Sequence, residues 1–150
     1  MGKTIIILRH GQITMYGSSL TLRGNDLADK AGKKLLFLYP KASFEIWSAD
    51  DIPTKHTAMK IAKHFDVEEV FLSSVFSRNY YFDTKKIDEM LNFIRTLESS
   101  HILIIVQESL FRDLARRLGK IHSRKAYCCG IIMNESGSIY KNFEIKQQKN

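Results

Sequence analysis

Two uninterrupted apolar runs, Ile5-Ile6-Ile7-Leu8 and Ile102-Leu103-Ile104-Ile105-Val106, constrain the fold of this chain more than any other feature. Side chains alternate faces along a strand, so a run with no polar residue at every second position has both faces covered. Strands of that kind belong to the interior of a parallel sheet with helices on either side. The segments around them supply those helices. Leu27, Ala31, Leu35 and Leu38 recur at helical spacing within 25–39, and Pro40 ends that helix. A second helix opens at Pro53 or Thr54 with Ala58, Ile61, Ala62 and Phe65 inward. A third runs from Asp83 or Thr84 to Leu97 on an Ile87, Leu91, Ile94 and Leu97 stripe, and a fourth covers 109–118. Strands are expected at 4–8, 43–47, 67–72 and 102–106, and a hairpin at 126–133 and 138–145 around Asn134-Glu135-Ser136-Gly137. Alternating strands and helices predict an α/β fold, a three-layer α/β/α sandwich whose central sheet is mostly parallel with an antiparallel C-terminal edge. At 150 residues the chain fits one domain, 1–150.

Composition narrows the function classes. No apolar stretch is long enough to span a membrane, and the start Met1-Gly2-Lys3-Thr4 lacks the apolar core of a signal peptide, so no membrane partner is expected. Cys128 and Cys129 are adjacent in the expected strand and point to opposite faces, which argues against a mutual disulfide and for a reduced, cytoplasmic protein. They also lack the Cys-x-x-Cys spacing of zinc sites, and neither a metal nor a cofactor is expected. The net charge is +7, and residues 76–150 carry 13 basic against 8 acidic side chains. The excess gathers at Arg112, Arg116, Arg117, Lys120, Arg124 and Lys125, as a solvated face or a surface for an acidic partner. No nucleic-acid motif accompanies it, so nucleic acid ranks last among partners.

Chemistry concentrates at Arg9-His10-Gly11, directly after the first apolar run. In parallel sheets ligands bind just beyond the carboxyl ends of the strands. Arg9 presents a planar fork suited to a phosphate, His10 is a nucleophile or proton carrier near neutral pH, and Gly11 admits a close backbone approach. The next segment, Leu20-Thr21-Leu22-Arg23-Gly24, leads into Ala28, Gly32 and Leu35.

Together these motifs resemble the histidine phosphatase superfamily, the phosphoglycerate-mutase-like proteins. That family opens with a strand, Arg-His-Gly, a variable loop and Leu-Thr-x-x-Gly-x-x-x-Ala-x-x-x-Gly-x-x-Leu, matched here at Leu20, Thr21, Gly24, Ala28, Gly32 and Leu35. Ser48 and Thr57-Ala58 echo its Ser-rich loop and Thr-Ala helix start. The length is most similar to that of the small bacterial phosphohistidine phosphatases, the SixA-like branch. The resemblance implies metal-independent phosphoryl transfer. His10 attacks phosphorus, a phosphohistidine forms, and water releases phosphate, with positive groups around the transferring oxygens. It implies Arg9 and His10 as catalytic, and Arg9, Gly11 and Gln107 around the phosphate.

Two family positions depart from the pattern. Counting back from Thr57-Ala58, the second arginine falls on Pro53, with the acids Asp50 and Asp51 beside it. The second histidine, at the end of the later strand, falls on Gln107, which can donate a hydrogen bond but carries no charge. Candidate substitutes are Lys55 and His56, one turn from the empty arginine slot, and Arg78 after the third strand. His101 lies at the wrong end of its strand, and His64 and His122 are expected on the surface. Glu108 can act as an acid but repels phosphate, and Ser18 and Ser19 belong to the variable loop. Phe71, Phe76, Tyr80, Tyr81 and Phe82 form core packing or a pocket wall, and the methionines carry no message. Three functions follow: a phosphatase of impaired activity on phosphohistidine or a small phosphomonoester, a pseudophosphatase binding phosphate or a phosphorylated partner, and a basic module for acidic protein or nucleic acid. The expected partner is a phosphorylated small molecule or a phosphoprotein.

Overall fold

The computed structural model describes residues 2–15, 19–77, 84–119 and 127–145. The elements follow in chain order: β1 (Thr4–Arg9), α1 (Leu22–Leu38), β2 (Phe44–Ser48), α2 (Ile52–Ala62), β3 (Phe71–Leu72), α3 (Thr84–Thr96), β4 (His101–Val106), α4 (Glu108–Leu118), β5 (Gly130–Asn134) and β6 (Ile139–Phe143). They form one six-stranded sheet of order β3-β2-β4-β1-β5-β6. The first four strands of that order are parallel, and β5 and β6 close the other edge antiparallel. The two apolar runs pair in register from Thr4 with His101 to Arg9 with Val106, which makes them the central strands.

Alternation along these strands divides the interior in two. Ile5, Ile7, Ile102, Ile104 and Val106 pack with Ile87, Met90 and Ile94 of α3 and Leu110, Phe111 and Leu114 of α4. Ile6, Leu8, Leu103 and Ile105 pack with Leu27, Ala28, Ala31 and Leu35 of α1 and Ala58, Ile61 and Ala62 of α2. The result is the three-layer sandwich that the alternation predicts.

Several boundaries differ from expectation for identifiable reasons. Helix α1 begins three residues early because Thr21 caps it, its hydroxyl accepting from Gly24 N at 2.9 Å. The third strand shrinks to Phe71–Leu72. A 3₁₀ turn over Lys63–Phe65 and the left-handed Asp66 precede it, and the exposed Glu68 and Glu69 occupy the rest of the expected strand. Cys128 and Cys129 sit in a turn before β5, not in a strand. Cys128 has φ 56°, yet the two thiols still enter opposite cores. Met90 is fully buried in the α3 stripe and Leu91 only partly, so that methionine does carry structural weight. His64 is not a surface group either; it hydrogen-bonds Asp29 at 2.8 Å and packs against Gly32. Phe76 is core, edge-on to Trp47 and Phe93, whereas Tyr80, Tyr81 and Phe82 lie outside the described residues. Among the described residues, no helix is long and apolar enough to cross a membrane.

Candidate phosphoryl site

The site is fixed from the backbone outward. Arg9 N donates to Cys129 O at 2.8 Å, His10 N to Val106 O at 3.2 Å, and Cys128 N to His10 O at 3.3 Å. His10 is thereby pinned between the end of β4 and the turn into β5, at the carboxyl edge of the parallel strands. One residue on, Gly11 N donates to Thr57 Oγ1 at 3.0 Å, and that hydroxyl donates to Pro53 O at 2.8 Å, which ties the loop to the first turns of α2.

The glycines of the two sequence motifs meet here. A Cβ on Gly11 would lie 2.8 Å from Gly24 O, and one on Gly24 would lie 2.2 Å from Gln12 O. Only bare backbone lets the loop after β1 close against α1. Thr21 completes the junction by donating from its backbone N–H to Gln12 O and from its hydroxyl to Gln12 Oε1, each at 2.9 Å. The Leu-Thr-x-x-Gly pattern is therefore the clasp that holds the Arg-His-Gly loop.

His10 is 5% exposed, and its Nδ1 lies 2.7 Å from Gly11 O. A carbonyl oxygen only accepts, so Nδ1 carries the proton and Nε2 keeps its lone pair. Burial lowers the imidazole pKa below its ordinary 6.5. Arg9 acts in the same direction, while the Gly11 carbonyl and the carboxylates of Asp51 and Glu108 oppose them. The side chain is thus held neutral, in the tautomer of a nitrogen nucleophile.

Arg9 is 4% exposed, with its guanidinium 4.5 Å over the Tyr127 ring and one terminal nitrogen 3.1 Å from Glu108 Oε2. Glu108 is the first residue of α4, directly after Gln107, and 53% exposed. A carboxylate therefore already lies on the fork that the sequence assigns to phosphate. No local pattern marks this pair or the Tyr127 contact.

The remaining candidates divide. Gln107 is the N-cap residue of α4, its side chain makes no capping bond, and it follows Val106, whose carbonyl accepts from His10 N. Pro53 occupies the first turn of α2, buried, exactly one helical turn before Thr57, and supplies only a carbonyl. Asp51 caps the same helix, taking Thr54 N at 3.2 Å and the Thr54 hydroxyl on both carboxylate oxygens. Asp50 accepts from Ser77 at 3.0 Å. Lys55 and His56 follow Pro53 in the first turns of α2. Both are exposed, and the turn of α2 sends Lys55 into an outer groove with Met59, Val70 and Leu72. Arg78 and Ser18 lie outside the described residues, as do Lys120, His122, Arg124 and Lys125. On α4, Arg117 pairs with Asp88 at 2.7 Å and Arg116 with Asp113 at 3.9 Å, which offsets part of that basic face. His101 packs between Tyr39 and Phe44 at the far end of the sheet. Among the described residues, no cluster of three or more His, Cys, Asp or Glu side chains is placed to hold a metal ion.

Neither family models nor curated proteins return a match to this chain. Solved structures do. The protein histidine phosphatase SixA in complex with tungstate aligns with TM-score 0.71 at 11% identity, over 93% of this chain and 96% of its own. A phosphoserine phosphatase of Entamoeba histolytica aligns with TM-score 0.67 at 12% identity, over 94% and 96%. A phosphoglycerate mutase of Plasmodium falciparum aligns with TM-score 0.65 at 23% identity, over 97% and 91%. At these identities the likeness establishes the fold: the chain has the architecture of the phosphoglycerate-mutase-like histidine phosphatases over nearly its whole length.

Proposed function

We propose that this protein takes a phosphoryl group onto His10 from phosphohistidine or a small phosphomonoester, and that it releases phosphate slowly. The observation that carries the reading is the Nδ1–H bond to Gly11 O, which leaves a neutral imidazole with its lone pair on Nε2 beside a buried guanidinium. Attack by Nε2 forms the N–P bond while the bond from phosphorus to the leaving group breaks. The departing oxygen or nitrogen takes a proton, and water then cleaves N–P to give inorganic phosphate and restore the imidazole. In this scheme Arg9 takes the transferring oxygens and Gln107 adds a neutral donor, while the Gly11 backbone, with its N–H on Thr57 and its carbonyl on His10, holds the loop in place. No metal takes part in this scheme.

The rate is low because two charges are missing. Pro53 and Gln107 replace cationic groups, and loss of one preorganised donor costs about 100- to 1,000-fold. A second reading, a pseudophosphatase that binds a phosphorylated small molecule or phosphoprotein without turnover, is favoured by the Glu108 carboxylate on Arg9.

The test is incubation of the full chain with an aryl phosphate and with a phosphohistidine peptide, chelator present, beside His10→Ala. Phosphate release and an acid-labile phosphoryl group on the His10 peptide, both absent from the variant, are expected. A phosphoryl adduct without release would establish the transfer half alone. Neither adduct nor release would leave the pseudophosphatase reading.

A further inference from the structure

The ion pair at the site narrows the substrate class. This inference rests on the reading of Arg9 and His10 as a phosphoryl site. We infer that the preferred ligands are phosphoryl compounds bearing an ammonium group close to phosphorus, because phosphate can take Arg9 only by displacing Glu108, and the ligand's own cation replaces the partner that Glu108 loses.

Three observations carry this. First, the contact between Arg9 and Glu108 is direct at 3.1 Å, and Arg9 is 4% exposed, so the guanidinium has little open surface on which to take a second anion. Secondly, Glu108 stands at the first position of α4 with its side chain 53% exposed, so the carboxylate stays at the rim of the site after it yields Arg9. Thirdly, Asp51 is a second carboxylate beside His10, fixed in place by the Thr54 N–H and by the Thr54 hydroxyl, which lies within reach of both carboxylate oxygens. Arg9, Glu108 and Asp51 together carry one positive and two negative charges around a neutral imidazole. A dianionic alkyl phosphate adds to that excess. A zwitterionic ligand exchanges one ion pair for two, phosphate on Arg9 and ammonium on Glu108, so only Asp51, already held by Thr54, is left without a cation.

The experiment uses two ligands of nearly equal shape, phosphoethanolamine and propyl phosphate, titrated calorimetrically into the full chain and into Glu108→Gln. Gln keeps the size of the side chain and removes its charge. The wild-type chain should bind phosphoethanolamine about two- to fivefold more tightly than propyl phosphate, the range of one exposed ion pair. In Glu108→Gln propyl phosphate should tighten and the preference should fall toward parity. Equal binding of both ligands by the wild-type chain would overturn the inference and leave the phosphoryl site standing. A preference that survives Glu108→Gln would also overturn it, since the ammonium would then have another partner. Binding of neither ligand would remove both the inference and the reading beneath it.

Discussion

At His10 a single hydrogen bond and a single burial decide the chemistry. The Gly11 carbonyl fixes the tautomer, and the enclosing protein keeps the ring uncharged at pH values where an exposed histidine begins to protonate. Because the folded pKa lies below the unfolded 6.5, stability from this group is fully present above pH 6.5 and is lost as pH falls below it toward the folded value. The His10 ring resonances, followed by NMR, should therefore titrate below 6.5, and His10→Ala should flatten the loss of stability between neutral and mildly acid pH. A His10 midpoint above 6.5 would mean that the Gly11 carbonyl, with Asp51 and Glu108, outweighs burial, and the neutral nucleophile would be wrong. Sequence alone singles out Arg9, His10 and Gly11, because a charged pair and a glycine straight after a fully apolar run have few structural uses. It does not single out Glu108 as the partner of Arg9. That contact depends on the register of β1 against β4 and on where α4 begins, both set by the sheet.

At the scale of elements, helix starts build the site. Thr21 at the start of α1 clasps Gln12, Thr57 in α2 holds Gly11, and Gln107 opens α4 beside His10. The glycines, Thr21 and the Thr57-Ala58 pair are legible as a family pattern, while the capping role of Thr21 emerges only from the structure. Substitutes for missing charges are not legible, since Lys55 and His56 are close in sequence but turned outward by the helix that carries them. Position 107 offers a direct test. Its side chain makes no capping bond, so Gln107→His should leave α4 intact while placing a titratable donor at the carboxyl end of β4. Phosphate release should rise by roughly 100-fold, the scale of one general acid–base group, and the double variant His10→Ala/Gln107→His should show none of the gain. If turnover is unchanged, the deficit lies at the Pro53 position, where the buried first turn of α2 leaves no comparable opening for a long side chain.

Across the whole molecule, β1 and β4 belong to two cores at once. Ile5 and Ile7 face α3 and α4, Ile6 and Leu8 face α1 and α2, and no strand can leave one layer while staying in the other. The turn before β5 places adjacent cysteines as reporters, Cys129 in the first core and Cys128 in the second. Burial, with a smaller contribution from its neighbour, pushes the Cys128 thiol up to about 12, so its native form presents almost no thiolate at pH 8. A disulfide-exchange reagent at that pH should thus find both thiols protected in the folded chain. Along a denaturant series both should become reactive in one transition, coincident with loss of helical circular dichroism, because exposing either requires the shared strands to separate. One thiol reacting at markedly lower denaturant would show a helical layer detaching alone. If that thiol were Cys128, whose amide donates to the His10 carbonyl, the Arg9-His10-Gly11 loop would come away with that layer, and His10 would owe its position to one face of the sheet.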